Sequence, residues 1–154
     1  MLSQREDPRT PQAVIRLARD PNSQPPIRPG QMRITAEPVY SRGHSQPPDR
    51  HVFVYFIRIE NIGTETAQLF WRHWRIHDAS AGDQEVAGEG VVGKCPTLAP
   101  GDTHDYNSYC VLEGRSGFME GYFHFRREDG SVFRVRIPRF TLQAPPDYGE
   151  TSYA

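Results

Sequence analysis

Gly88, Gly90 and Gly93 stand in the spacing Gly-x-Gly-x-x-Gly and run into Lys94, Cys95 and Pro96. Between a strand and a helix, this spacing lets the backbone approach the pyrophosphate of a dinucleotide. Here no helix can follow. Pro96 and Pro100 remove amide donors and clash with the preceding turn, so a helix begun at Gly90 would stop at once. The dinucleotide reading fails on that context. Three readings of the stretch stay open. It is a structural crossing between sheets, where close backbone packing calls for glycine, or a loop that contacts a protein. Or it is a nest of backbone amides at Gly88, Gly90 and Gly93 that holds a pyrophosphate or nucleotide anion, with Lys94 adding charge. Glu89 in its middle counts against an anion.

Six histidines could ligate a metal: His44, His51, His73, His77, His104 and His124. His73 and His77 share a face if their segment is a strand, but roughly 13 Å of rise then separates them. One ion cannot bridge that distance, so no metal site is expected. For nucleophilic catalysis, His104, Asp105 and Ser108 are the nearest grouping. Adjacent strand residues point to opposite faces, and no Gly-x-Ser-x-Gly elbow is present. No acid, base and nucleophile converge, so the chain is read as non-enzymatic, with no catalytic residue and no cofactor.

The elements that would position these residues are strands. The 154 residues suit one domain, with 36% hydrophobic and 11% aromatic residues. The formal net charge of -1 gives no bulk attraction to nucleic acid or to a membrane. No apolar run approaches a membrane span. Met1 to Asp7 lacks the apolar core of a signal peptide, and there are only two cysteines, Cys95 and Cys110. A cytoplasmic protein with both thiols reduced is therefore expected.

Residues 1–30 form a flexible proline-rich arm in which Val14, Leu17 and Ala18 could share one face of a short helix. Residues 31–142 form the ordered domain, and 143–154 a loose tail. Within the domain, Met32–Ala36 alternates as a strand, placed at a sheet edge by Pro38. The strongest strand runs from His51 to Glu60, with Phe53, Tyr55, Ile57 and Ile59 on one face. Gln68–Asp78 is next, with Phe70, Arg72, Trp74 and Ile76 facing inward. An inward Arg72 needs a bulge to turn it out, or a carboxylate or carbonyl partner. Thr103–Leu112 is a further strand. Phe118–Arg127 and Ser131–Phe140 form a hairpin whose register can be argued. Phe123 and Phe125 must share a face with Phe133 and Val135. A three-residue loop, Glu128-Asp129-Gly130, achieves this by pairing Phe125 with Phe133. The sum is an all-β, immunoglobulin/fibronectin-III-like β-sandwich of about seven antiparallel strands.

The same register puts His124 opposite Arg134 and Tyr122 opposite Arg136 on the outer face, with Arg126 extending the row. Tyr122, His124, Arg126, Arg134 and Arg136 are thus the candidate partner contacts, a basic and partly aromatic stripe expected to lack balancing carboxylates on its strands. The bland alternative is a solvated sheet face.

The segment from about Met32 to Leu142 resembles the ApaG domain family. The resemblance rests on Glu60-Asn61-Ile62-Gly63, Gln68-Leu69, Arg72-His73-Trp74-Arg75-Ile76, and Gly88-Glu89-Gly90-Val91-Val92-Gly93 with Pro96. It continues through Leu98-Ala99-Pro100-Gly101, Tyr106-Asn107-Ser108, Gly117-Phe118-Met119-Glu120-Gly121, and Ile137-Pro138 with Phe140 and Leu142. It implies a fibronectin-type-III-like fold, no agreed catalytic activity, and a binding role toward a protein or a polyphosphate-like anion. It also implies a link to cobalt and magnesium resistance, and a gene that often neighbours a diadenosine tetraphosphate hydrolase. Similar domains occur in F-box and polymerase-interacting proteins. The expected function is a protein-binding module with an unknown partner. The alternatives are a regulator that binds pyrophosphate or a nucleotide at the glycine loop, and a divalent metal-binding protein.

Overall fold

Alternation of apolar and polar residues builds two packed faces. The computed structural model describes residues 31–146. Among the described residues there are eight strands: β1 (Met32–Tyr40), β2 (His51–Asn61), β3 (Ala67–Asp78), β4 (Gly82–Glu89), β5 (Thr97–Leu98), β6 (Thr103–Leu112), β7 (Ser116–Arg127) and β8 (Val132–Gln143). All pairings are antiparallel. One sheet has the order β1-β2-β6, the other β4-β3-β7-β8, with β5 also paired to β3. This is the expected all-β sandwich, with one strand more than the expected seven. The additional short strand is β5, too brief to show a periodicity. The proline-rich arm and its short helix lie outside the described residues, as does the tail beyond 146.

Phe53, Tyr55, Ile57 and Ile59 of β2 are buried against Leu69, Trp74, Met119, Phe123, Phe125 and Ile137 of the second sheet. Trp74 sits near the centre, edge-on to Tyr55, Phe123 and Phe140. Edge-to-face rings match the positive rim of one ring to the negative face of another. The packed part runs past Leu142. Ala144 is buried, and its amide donates to Arg115 O.

The sandwich has two poles. Gln31, Asn61, Glu65, Arg127 and Phe133 gather at the first. At the second, Asp78 reaches the loop between β6 and β7. The β7–β8 register is the one argued from the sequence. Phe125 faces Phe133, Phe123 faces Val135, His124 faces Arg134 and Tyr122 faces Arg136, and Gly130 turns the loop at φ +88.

One inward assignment needs correction. The β3–β7 register shifts between Leu69 and Trp71, which leaves Phe70 unpaired in a bulge. Leu69 takes the buried position. Phe70 turns outward, where its ring meets His124 and lies under the Arg126 guanidinium. A bulge adds one residue to one strand and so reverses the faces on one side of it.

Candidate functional site

The glycine stretch does not cross between sheets. β4 and β5 both pair with β3, opposite Trp71–Asp78 and Ala67–Gln68 respectively. They are two parts of one edge, interrupted by residues 90–96. The crossing to the other sheet comes later, at Ala99–Asp102, where Gly101 is at φ +89. Within the interruption, Val91 and Lys94 exchange two backbone hydrogen bonds of 2.8 and 3.0 Å around a two-residue turn. Val92 and Gly93 both have positive φ, 48 and 77, as a primed turn requires. The amides of Gly90, Val91 and Lys94 donate to Phe70 O, Lys94 O and Val91 O. Of the three amides of the expected nest, that of Gly90 is therefore committed to the backbone, as are those of Val91 and Lys94 beside it.

Gly88 and Gly90 are small for different reasons: at Gly90, where φ is +65, a Cβ would meet Lys94 O, whereas at Gly88 it would meet Arg72. The Arg72 guanidinium lies across them, with Nη1 donating to Glu89 O at 3.0 Å and Gly90 O at 3.1 Å. A Cβ on Gly88 would come within 2.9 Å of both Nη atoms. Carbonyl partners are thus what Arg72 uses, one of the options open from the sequence. At the turn tip, Val92 is a β-branched residue in the left-handed region, and its side chain is exposed. Val92→Asn should raise stability by about 1 kcal/mol, because asparagine tolerates that region and no packing is lost. Urea unfolding measures it. A loss of stability would mean that the valine packs against something.

The histidines of β3 have separate partners. His73 Nε2 meets Glu85 Oε1 at 3.0 Å, and His77 Nδ1 meets Asp83 Oδ1 at 2.5 Å. Among the described residues, no group of three histidine, cysteine, aspartate or glutamate side chains is arranged to hold a metal. His104 and Asp105 do point to opposite faces. Asp105 is bound to Arg58 on the outside, and the His104 Nε2 atom is buried with no hydrogen-bond partner among the described residues. Burial, with Lys94 nearby, pushes the His104 pKa down. Cys95 and Cys110 are free thiols, and burial pushes Cys110 up to about 11.

The outer face of the larger sheet divides into two halves. Toward the second pole its charges are matched. Glu120 of β7 accepts from Arg75 at 2.5 Å and from Arg139 at 3.0 Å, and Arg75 also meets Asp83 at 2.9 Å. Hydrogen bonding from Arg139, helped by that from Arg75, holds the Glu120 carboxyl below its usual range against the opposing effect of burial. The expected lack of carboxylates on these strands is thus wrong at Glu120. The β7–β8 register shifts between Met119 and Gly121, beside Pro138, and this brings Arg139 to Glu120.

Toward the first pole, the stripe assembles in the expected register and is joined by Phe70, which alternation does not place there, and by Trp71, which it does. Tyr122 lies under Arg134 at 4.3 Å and Arg136 at 5.5 Å. Arg126 covers Phe70 at 4.3 Å, Phe70 meets His124 edge-on, and Trp71, opposite His124, is 40% exposed. Among the described residues, Arg126, Arg134 and Arg136 have no carboxylate partner. Phe70 escapes sequence reasoning because the bulge that turns it out beside Trp71, which alternation does place on this face, has no mark in the pattern.

Comparison with known proteins agrees with this architecture. The ApaG domain description matches residues 41–127. The Protein ApaG of Rhodospirillum centenum is 46% identical over 115 residues, which cover 74% of this chain and 88% of that protein. That of Thiobacillus denitrificans is 47% identical over 116 residues, covering 75% and 91%. Among solved structures, the putative ApaA protein from Bordetella pertussis superposes with a TM-score of 0.73 at 41% identity, covering 78% of this chain and 98% of that one. With its sandwich and its glycine stretch in place, this chain belongs to the ApaG domain family.

Proposed function

We propose that the domain is a non-enzymatic binding module that docks an acidic protein segment on the first-pole half of its outer sheet face. The observation that carries this reading is the set of unmatched guanidiniums of Arg126, Arg134 and Arg136, each laid over an aromatic ring on rigid strands. Neighbouring arginines on the same face, Arg75 and Arg139, are neutralised by carboxylates. Uncompensated arginines stacked on rings are already ordered, so less side-chain entropy is lost when a carboxylate binds. Tyrosine, tryptophan and arginine are also the residues that most often dominate interface energetics. The non-enzymatic half of the reading is supported by His104 and Asp105 facing opposite ways. A family link to cobalt and magnesium would, on this reading, run through the partner rather than a bound ion. The free thiols fit a reducing cytoplasm. Among the described residues, no helix is long and apolar enough to cross a membrane.

The test is the double variant Arg134→Ala with Arg136→Ala. Both side chains are exposed, so the melting temperature should change little. Binding of a synthetic glutamate-rich peptide to the wild type should perturb NMR signals of residues 122–136 and weaken with salt. Recovery of partners from native lysate should fall in parallel with peptide binding. A folded double variant that binds the peptide and recovers partners as well as the wild type would return this stripe to an ordinary solvated face.

A further inference from the structure

The two sheets do not close along their β4 and β6 edges. Between them lies a cleft of about 360 Å³, whose lining includes Tyr55, Arg72, Ile76, Val86, Ser108 and Cys110. That size falls within the range of small-ligand sites, roughly 300–1,000 Å³. Its two ends differ chemically. At one end is Arg72. Its Nη1 atom is held by two carbonyls, and its remaining N–H groups have no protein acceptor among the described residues. No carboxylate is paired with this half-buried cation. Beside it, Tyr55 and Ser108 are cross-strand partners, and the Ser108 side chain works against the burial that raises the Tyr55 pKa. The buried Tyr106 hydroxyl, within electrostatic reach of Arg72 and Tyr55, has no hydrogen-bond partner among the described residues. The middle of the cleft is apolar, formed by Ile76, Val86 and Cys110.

At the other end are two carboxylates, both already engaged. Asp78 accepts from three backbone amides, and Asp83 is held by Arg75 and His77. An anion is therefore repelled from that end and attracted to Arg72. A cation taken out of bulk water without a counter-charge is costly, and Arg72 is kept there by the Glu89 and Gly90 carbonyls and by Gly88, which makes room for it. Such a group is completed by a ligand that brings the missing negative charge. A guanidinium presents parallel donors that match a planar carboxylate.

We infer that this inter-sheet cleft binds a small organic carboxylate, with its carboxylate on Arg72 and the Tyr55–Ser108 hydroxyls and its apolar body along Ile76, Val86 and Cys110. The site is on the inside of the β3–β4 edge, so it is separate from the outer stripe and stands or falls independently of it.

The experiment uses the full chain, ¹⁵N-labelled, titrated at millimolar concentration with benzoate, benzyl alcohol and inorganic phosphate. Benzoate should give saturable shifts at Gly88, Glu89, Ser108 and Tyr109. Benzyl alcohol, which has a similar body without the charge, should not. Arg72→Lys keeps the charge but loses the planar fork, and should weaken benzoate binding by at least about tenfold. Gly88→Ala moves the guanidinium without removing it and should weaken binding too, which covers the case of an Arg72→Lys protein that fails to fold. The assignment is overturned by any of three results. One is the absence of saturable shifts, or shifts confined to residues 122–136. Another is unchanged benzoate affinity in whichever of these variants is folded. The third is tighter binding of phosphate than of benzoate at the same amides, which would make the site one for tetrahedral anions.

Discussion

Gly121→Ala is expected to lose about 3 kcal/mol or more, a cost at the upper end of overpacking. Gly121 lies on β7 between Trp74 of β3 and Ile137 of β8. A Cβ there would sit 2.0 Å from His73 O and 3.1 Å from the Trp74 Cα. Both atoms are backbone, so no rotamer change relieves the clash. β3 and β7 must move apart locally, and the ladder bonds on either side stretch with them. Trp74, wedged between Tyr55, Phe123 and Phe140, would lose its fit in the same displacement. Urea unfolding should show a lower midpoint with an unchanged slope, meaning lower stability rather than a different unfolded state. The melting temperature should fall by about 10 °C or more. Gly43→Ala is the control. A Cβ on Gly43 would meet no atom within 4 Å, and the residue has no positive φ, so its replacement should change little. Equal stability of the two variants would mean that the strands tolerate a wider spacing here than the geometry allows.

Asp78→Ala should cost a comparable amount, about 3 kcal/mol, because it removes several charge-assisted bonds and leaves buried amides without acceptors. The Asp78 carboxylate accepts from Ser80 N at 3.0 Å, Glu113 N at 2.7 Å and Gly114 N at 2.9 Å. It thus ties the β3–β4 turn to the loop that joins β6 of one sheet to β7 of the other. Burial alone would raise its pKa. The amides of Glu113, Ser80, Gly114 and Ala81 outweigh burial, and the pKa is lowered from 3.8. A carboxyl with a depressed folded pKa binds protons less readily than it does in the unfolded chain. Its contribution is therefore complete above the unfolded value, near 3.8, and is lost as pH falls from there through the lower folded value. The stability of the wild type should decline more steeply than that of Asp78→Ala across this acid range. The two curves should run parallel at neutral pH. Parallel curves throughout would show that the carboxylate is not stabilised by those amides.

Legibility from the sequence follows the reach of each physical rule. The hairpin register is readable because side chains alternate with period two and only one loop length puts Phe125 opposite Phe133. The burial of Phe53, Tyr55, Ile57 and Ile59 follows from the same rule. Alternation puts Phe70 on the wrong face because a bulge is a backbone event, of which the side-chain pattern carries no record. Glu120 is visible in the chain, yet its role depends on a register shift beside Pro138 that brings Arg139 to it. The glycine stretch is the hardest case. Pro96 is enough to exclude a dinucleotide site, and Pro100-Gly101 marks the true crossing between sheets. The seat that Gly88 makes for Arg72, with the carbonyls of Glu89 and Gly90, is a contact between neighbouring strands. Its one hint in the sequence is an arginine at an inward position, with no evident partner.

The path of the chain into and out of the sandwich has a mechanical meaning. Gln31 enters at the first pole, where its carbonyl accepts from Ile62 N, and Ala144 leaves at the second, bound to Arg115. The length of β1, nine residues, sets these points about 30 Å apart. Tension applied through the two ends would pull β1 and β8 in opposite directions along their own axes. The hydrogen bonds of β1 to β2 and of β8 to β7 lie across that pull. They must be sheared as sets rather than opened one after another, so residues 31–146 resist stretching along that axis far better than peeling.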